Sequence, residues 1–536
     1  MTTATVAHHA KPPASSPFAG VGTLLALAAR RDCVRLSVWI AVLTFMMFYA
    51  PNTMKFAYPG EPQRIARVNL LKTPAGIMLG GPFFGGNETD LGVMVANELM
   101  MTTIIAAVIM SVLTVVRHTR TEEETGAAEL VMSSVVGRYA RTMSALVLVG
   151  AVNAVLVVTM TLALAATGFD LIDCAGMCFG ITGVAMVFGA VAAVTVQLWR
   201  QARPATGAAL GLFAAAALVR GVGDVINHSG SALSWLSPIA WAQQMRAFVD
   251  LRWWPFALLV VLTVGLMAVS MVLESRREYD DGILPSRGDR PNASPIRSVF
   301  ELNLVLQRGQ VIGWGVGLFL SGLAFGSMTK SLQDAAKSNE LLARVLATQG
   351  YNGIYTTLTQ FLAAATTGFV VAVIVRLHHD EESGIAEEVL AGSVSRWRWL
   401  LGNVGATLVG ATVLMFVAGL GNGLGAAVTM GEADLVPRLT AAGVAHVPAM
   451  AVIAGIGALA VALRRPLIGW LAVTFVVLSL YLGALLRLPR WLIDLSPVGR
   501  TTVPSTAPVT AMLVMVGVAI AITAVAGWIY RRRDAI

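Results

Sequence analysis

The segment from Arg117 to Met143 reads RHTRTEEETGAAELVMSSVVGRYARTM, and it returns from Arg376 to Leu400 as RLHHDEESGIAEEVLAGSVSRWRWL. With one gap, Arg117 aligns with Arg376, Gly126 with Gly384, Glu129 with Glu387 and Arg138 with Arg396. Each copy follows one long apolar run and precedes another, so the chain carries the same polar segment at the same place in two halves. Such a segment in a hydrophobic protein reads as a docking surface. Glu122, Glu123 and Glu124 would sit at or before the start of a short helix, where negative charge suits the dipole. Arg138 and Arg141 at its far end suit both a helix C-terminus and lipid headgroups. A solvated loop with excess basic residues would explain the arginines. It would not explain three successive acids, nor their return as Asp380, Glu381 and Glu382.

Working outward, the 536 residues are 56% hydrophobic and 13% charged, with a mean hydropathy of +0.72. Those values belong to a polytopic membrane protein, not to a string of soluble domains. The net charge of +8 then belongs to loops facing anionic headgroups and gives no reason to expect nucleic acid. The expected fold is an all-α integral membrane protein with about twelve transmembrane helices in two parallel six-helix repeats. An interfacial amphipathic helix should precede each repeat, at 20–35 and again at ELNLVLQR from Glu301.

The chain divides into a disordered tail at 1–18, a first six-span half at 19–274, a cytoplasmic linker at 275–298 and a second half at 299–536. Spans are expected at 36–52, 91–116, 143–167, 172–197, 205–226 and 254–274, then at 309–327, 354–375, 400–428, 440–463, 466–486 and 508–530. Polar excursions fill 53–90 and 328–353. A second echo is Leu236-Ser237-Pro238 before the sixth span and Leu495-Ser496-Pro497 before the twelfth. An even number of spans puts both termini on one side. Lys and Arg, about twice as frequent on the segments of that side, make it the cytoplasmic side of a plasma membrane. Residues 1–20 do not read as a signal peptide.

Candidate chemistry is sparse. There is no GxxxxGK[ST], no HExxH and no GxSxG. If ATP drives the protein, another polypeptide must bind it together with its magnesium, and no cofactor is expected in this chain. Cys33, Cys174 and Cys178 make no disulfide framework or zinc pattern and read as packing residues. Within the spans, Arg220 and Asp224 are four apart and could pair on one helical face, as a structural pair or as part of a passage. Glu98 lies about 10 Å into the second span, either attracting cations in a pathway or paired with Arg220. His446 reads as a hydrogen-bonded interior residue. Met94, Met100, Met101 and Met110 read as core or lipid-facing packing, with the lining of an adaptable apolar pocket as the alternative.

The pattern R-x-T-R-x-E-E-x-x-G-x-x-E-L, from Arg117 to Leu130, resembles the cytosolic loop of actinobacterial ATP-binding-cassette exporter permeases of the polyketide or tetronasin type. The likeness covers nearly the whole chain. It implies that the loop after the second span of each half is a coupling helix against a separately encoded ATPase, two copies of which would bind. Carried over by position, Arg117, Arg120, Glu122, Glu123, Gly126, Glu129 and Arg138 would contact one copy, and Glu381, Glu382, Gly384, Glu387 and Arg396 the other. The second copy of the loop departs from the pattern, with His378 and His379 where the first has Thr119 and Arg120. The resemblance implies a hydrophobic or amphipathic drug or antibiotic as substrate. Two rivals are an ion-coupled secondary transporter, which would need acids near the midplane, and an enzyme of lipid chemistry, which would need clustered acids or a metal site.

Overall fold

The computed structural model describes residues 16–84, 89–126, 136–227, 230–277, 281–284, 298–330, 333, 353–382, 384–392, 394–481, 495–501 and 509–532. All regular structure among them is helical, and eleven helices are long and apolar enough to cross a membrane. A shorter apolar helix near residue 470 adds to them, and the whole is a multi-pass membrane protein of about twelve helices. The chain forms two compact units, Met1–Pro291 and Asn292–Ile536.

The first unit opens with α1, Val21–Ala57. The amphipathic stretch at 20–35 and the first expected span run on as this one helix, because no glycine or proline interrupts residues 23–50. Its inward face buries Leu36, Leu43 and Met47, while Val34, Val38, Val42 and Phe45 stay exposed four or so residues apart. That outward stripe is what a bilayer would cover. The excursion at 53–90 is not loop throughout: it holds α2, Glu61–Leu71, and α3, Pro74–Gly80, the latter capped by Thr73. Next comes α4, Leu91–Val116, capped by Asp90. It continues through a π-helical turn, Arg117–Thr121, to Glu124. The helices α5, Ala140–Ala165, and α6, Leu171–Leu198, turn about Gly168, whose φ of 94° a side chain would strain. Asp170 caps α6 by accepting from Ile172 N at 2.9 Å and Asp173 N at 3.1 Å. Then follow α7, Ala202–Ile226, the short α8, Pro238–Gln243, and α9, Trp254–Arg276. The most buried helices, α4 and α6, form the centre, with Met94, Met100, Met101, Met110, Cys174 and Cys178 all in the core.

The second unit repeats the plan with α10, Val299–Ser327, α11, Gly353–Glu382, the short α12, Ile385–Leu390, and α13, Arg396–Met430. Again the interfacial stretch and the span after it are one helix. The expected span at 440–463 is two helices, α14, Leu435–Val444, and α15, Val447–Ala462, broken before Pro448. His446 sits at that break, fully buried, with Nδ1 2.8 Å from Ala442 O. The unit closes with α16, Leu467–Tyr481, and α17, Val509–Arg532. Here the core seam is α10 on α13. A side chain at Gly322, Gly326, Gly421 or Gly425 would run into the backbone of the facing helix. Both helices thus carry a small-xxx-small pair at their contact.

Candidate functional site

At the end of α4 the acids of the repeated segment meet arginines from across the first unit. Glu122, Glu123 and Glu124 close the C-terminal end of a helix, where carboxylates oppose the dipole. Neutralisation must therefore come from elsewhere. Glu123 is buried and accepts from Arg120, Arg141 and Arg277, the last through Nη2 to Oε1 at 2.7 Å and Nη1 to Oε2 at 3.0 Å. It lies beyond the apolar part of the helix. Burial pushes its carboxyl up, but the hydrogen bond from Arg277 and the charges of Arg141, Arg277 and Arg120 outweigh that and hold it at about 2.

The same arginines grip backbone ends. Arg120, fully buried, donates through Nε to Trp199 O at 2.8 Å and through Nη2 to Asp281 O at 2.5 Å. Residues 283–284 hydrogen-bond to the end of α6, Ile283 N to Gln197 O at 3.2 Å and Leu284 N to Leu198 O at 2.9 Å. Part of the expected linker is thus folded beneath this cluster. Arg138 is exposed and donates to Glu274 O at 3.0 Å and Ser275 O at 2.6 Å, closing the carbonyl end of α9. Glu124 accepts from Ala202 N at 2.6 Å, at the amide end of α7. One turn back, the buried Asp32 of α1 holds His118 Nε2 at 3.0 Å and Arg117 Nε at 3.2 Å. Glu122 takes His118 Nδ1 at 3.2 Å and Arg31 Nη1 at 3.1 Å. The segment is therefore a charged knot that ties α1, at Arg31 and Asp32, to the ends of α4, α5, α6, α7 and α9. Gly126 follows it with φ 71°; Glu129 lies outside the described residues.

The second unit holds a lighter version. Glu381 accepts from Tyr530 Oη on α17, as Glu123 accepts from Arg277 just past α9. Arg376 and Asp380 stand 3.7 Å apart, and His378 Nε2 lies 3.2 Å from Glu382. Gly384, at φ 77°, starts α12. Glu382 and Glu387 face outward, and the half-buried Arg396 begins α13.

The opposite end of the first unit contains the charges within spans. Glu98 does not meet Arg220; its carboxylate is paired with Arg67 of α2, at 2.8 Å and 3.0 Å. The excursion at 53–90 supplies that partner, which is why spacing within the spans does not announce it. Arg220 and Asp224 do share a face, at 3.5 Å, both buried. Arg220 also donates to Ile77 O at 3.3 Å and to Met78 O, and reaches Gln243 Oε1 at 3.4 Å. It fastens the carbonyl end of α3 onto α7 and α8. Among the described residues no group of His, Cys, Asp and Glu could hold a metal ion.

Long apolar helices in two units of like plan, with charge gathered at helix ends, define a polytopic α-helical membrane protein of the permease class. Residues 80–273 and 296–531, one stretch in each unit, match the family described as "Multidrug efflux system permease Rv1217c, C-terminal domain". The chain belongs to this family of multidrug efflux permeases. The multidrug efflux system permease protein Rv1217c of Mycobacterium tuberculosis (strain ATCC 25618 / H37Rv) is 32% identical over 548 residues, covering 98% of this chain and 97% of that protein.

Proposed function

We propose that this permease is the membrane subunit of an ATP-driven exporter, powered by two copies of a separately encoded ABC ATPase. The observation that carries the reading is the Glu123 knot. A force applied at the repeated segment reaches the ends of α4, α5, α6 and α9 at once through Arg120, Arg138, Arg141 and Arg277, and the start of α7 through Glu124. In this reading the half-buried Arg117 and Glu122 and the exposed Arg138 in one unit, with the exposed Glu382 and Glu387 in the other, meet the ATPases. The buried Arg120 and Glu123 relay the push. Nucleotide-driven closure would then switch the permease between two states, with both termini on the ATPase side in the cytoplasm. The apolar spans suit hydrophobic or amphipathic drugs. The ion-coupled alternative needs an acid free to take up and release a proton within the membrane, whereas Glu98 and Asp224 are each paired with an arginine.

The test is ATP hydrolysis by the full-length chain purified with a candidate ABC ATPase. Co-purification and drug-stimulated hydrolysis are expected. Arg138→Glu together with Glu387→Arg should loosen the complex, whereas Glu123→Gln should leave the complex intact and blunt the stimulation. Failure of any ATPase to associate, with transport following a proton gradient instead, would overturn the reading.

A further inference from the structure

A pocket beside the first turns of α4 lies at the end of that helix away from the knot. Phe83, Phe84, Asn97, Met100, Gln243 and Arg246 form its wall. Both aromatic rings have a cation over their faces. The Arg246 guanidinium stands 4.6 Å from the centre of Phe84, and Lys72 Nζ stands 5.6 Å from the centre of Phe83. Arg246 lies 3.7 Å from Asp250, but Asp250 is also engaged by Arg252, so the three groups together remain positive. No carboxylate is found among the described residues that line the pocket. A positive, aromatic wall selects an anion with a ring.

Two further observations point to a ligand. Asn97 is 7% exposed, and its amide nitrogen donates to Gly81 O at 3.0 Å. That bond fixes the amide's orientation, and it leaves the buried Oδ1 without a hydrogen-bond partner. The other is backbone strain. Arg246 at φ 52° and Phe248 at φ 66° are two of the three non-glycine residues with positive φ among those described. Their loop is locked by Arg252 N donating to Met245 O at 2.8 Å. Left-handed residues held in place by their surroundings collect at ligand clamps.

We propose that this pocket is a binding subsite for an aromatic anion carrying one N–H or O–H donor. The acid group meets Arg246, the ring packs on Phe84, and the donor satisfies Asn97 Oδ1. The assignment rests on the efflux reading only in making the ligand a transported molecule; binding itself needs no ATPase.

The experiment titrates 8-anilinonaphthalene-1-sulfonate, an aromatic anion with one N–H, into the full chain in lipid nanodiscs, with empty nanodiscs as the blank. A saturable component of one probe per chain is expected. It should weaken about tenfold in Arg246→Gly, since glycine keeps the backbone at φ 52° while removing the charge. Arg246→Lys should largely restore it, Phe84→Ala should lose it, and Gly317→Leu in the second unit, where an added side chain meets nothing within 4 Å, should leave it unchanged. Should a variant fail to purify as a folded species, the titration of wild type against the cationic dye ethidium decides, because the site must favour the anion. Absence of a saturable component, equal binding in Arg246→Gly, or a preference for ethidium would overturn the proposal. Probe binding without ATP-dependent transport would overturn the exporter reading and leave this one standing.

Discussion

Glu123 accepts from three guanidinium groups inside a site with little contact with water. Removing one side of a buried charge network leaves the other side uncompensated, at a cost on the order of 3 kcal/mol or more. Glu123→Gln should therefore lower the thermal unfolding temperature of the detergent-purified chain. Arg396→Ala in the lighter cluster should lower it less. The pH dependence follows from the depressed carboxyl of Glu123 at about 2, against an ordinary 4.5. A depressed acid contributes stability in full above its unfolded pKa and loses it as pH falls through the folded one. The stability gap between wild type and Glu123→Gln should hold from pH 8 to pH 5 and narrow only toward pH 2. A gap that closes near pH 5 would show that the arginines do not hold this carboxylate. The acids themselves are legible in the sequence because they repeat. Of their partners, Arg120 stands three residues away, but Arg277 lies 154 residues from Glu123 and no local spacing links those two.

Spans are legible at the scale of the element wherever one apolar run fills a helix. The expected 91–116 and 172–197 correspond to Leu91–Val116 and Leu171–Leu198. Reading fails where a tertiary contact decides. Asp32 looks like part of a surface helix, yet Arg117 and Arg35 neutralise it and His118 lies against it, so α1 continues unbroken through it. Crowding of glycine in the ninth span predicts close helix contact, and the seam of α10 on α13 delivers it: a Cβ at Gly425 would collide with Leu323 O, and one at Gly322 with Ala418 O. Gly322→Leu and Gly425→Val should each cost on the order of 1–3 kcal/mol by overpacking. Gly317→Leu on the same helix, where nothing lies within 4 Å of an added Cβ, should be tolerated. Thermal aggregation of the three variants, followed by size-exclusion chromatography, separates these outcomes; equal behaviour would show that the glycines do not set the helix spacing.

For the whole molecule, the repeat extends to element order but not to the chemistry of the charged ends. Three arginines hold Glu123 in the first unit, whereas in the second Glu381 accepts from a tyrosine and Glu382 lies against His378. If both segments receive an ATPase, neutralising the first should blunt drug-stimulated hydrolysis more than neutralising the second. Glu122→Ala with Glu123→Ala, compared with Glu381→Ala and Glu382→Ala, measures that difference; equal losses would mean that the sequence asymmetry has no functional weight. The sequence already hints at this inequality, through His378 and His379 in place of Thr119 and Arg120. The pairing of Glu98 with Arg67 was beyond its reach, because the excursion that brings Arg67 has no apolar rhythm to read. One consequence concerns α4. From Asn97 to Glu123 this unbroken helix spans about 39 Å at the ordinary helical rise, with an aromatic pocket near one tip and the knot of arginines at the other. In the proposed exporter such a helix would act as a lever. Pivoting by about five degrees about one tip, a rod of that length carries the other sideways by roughly 3 Å, about the width of one water molecule.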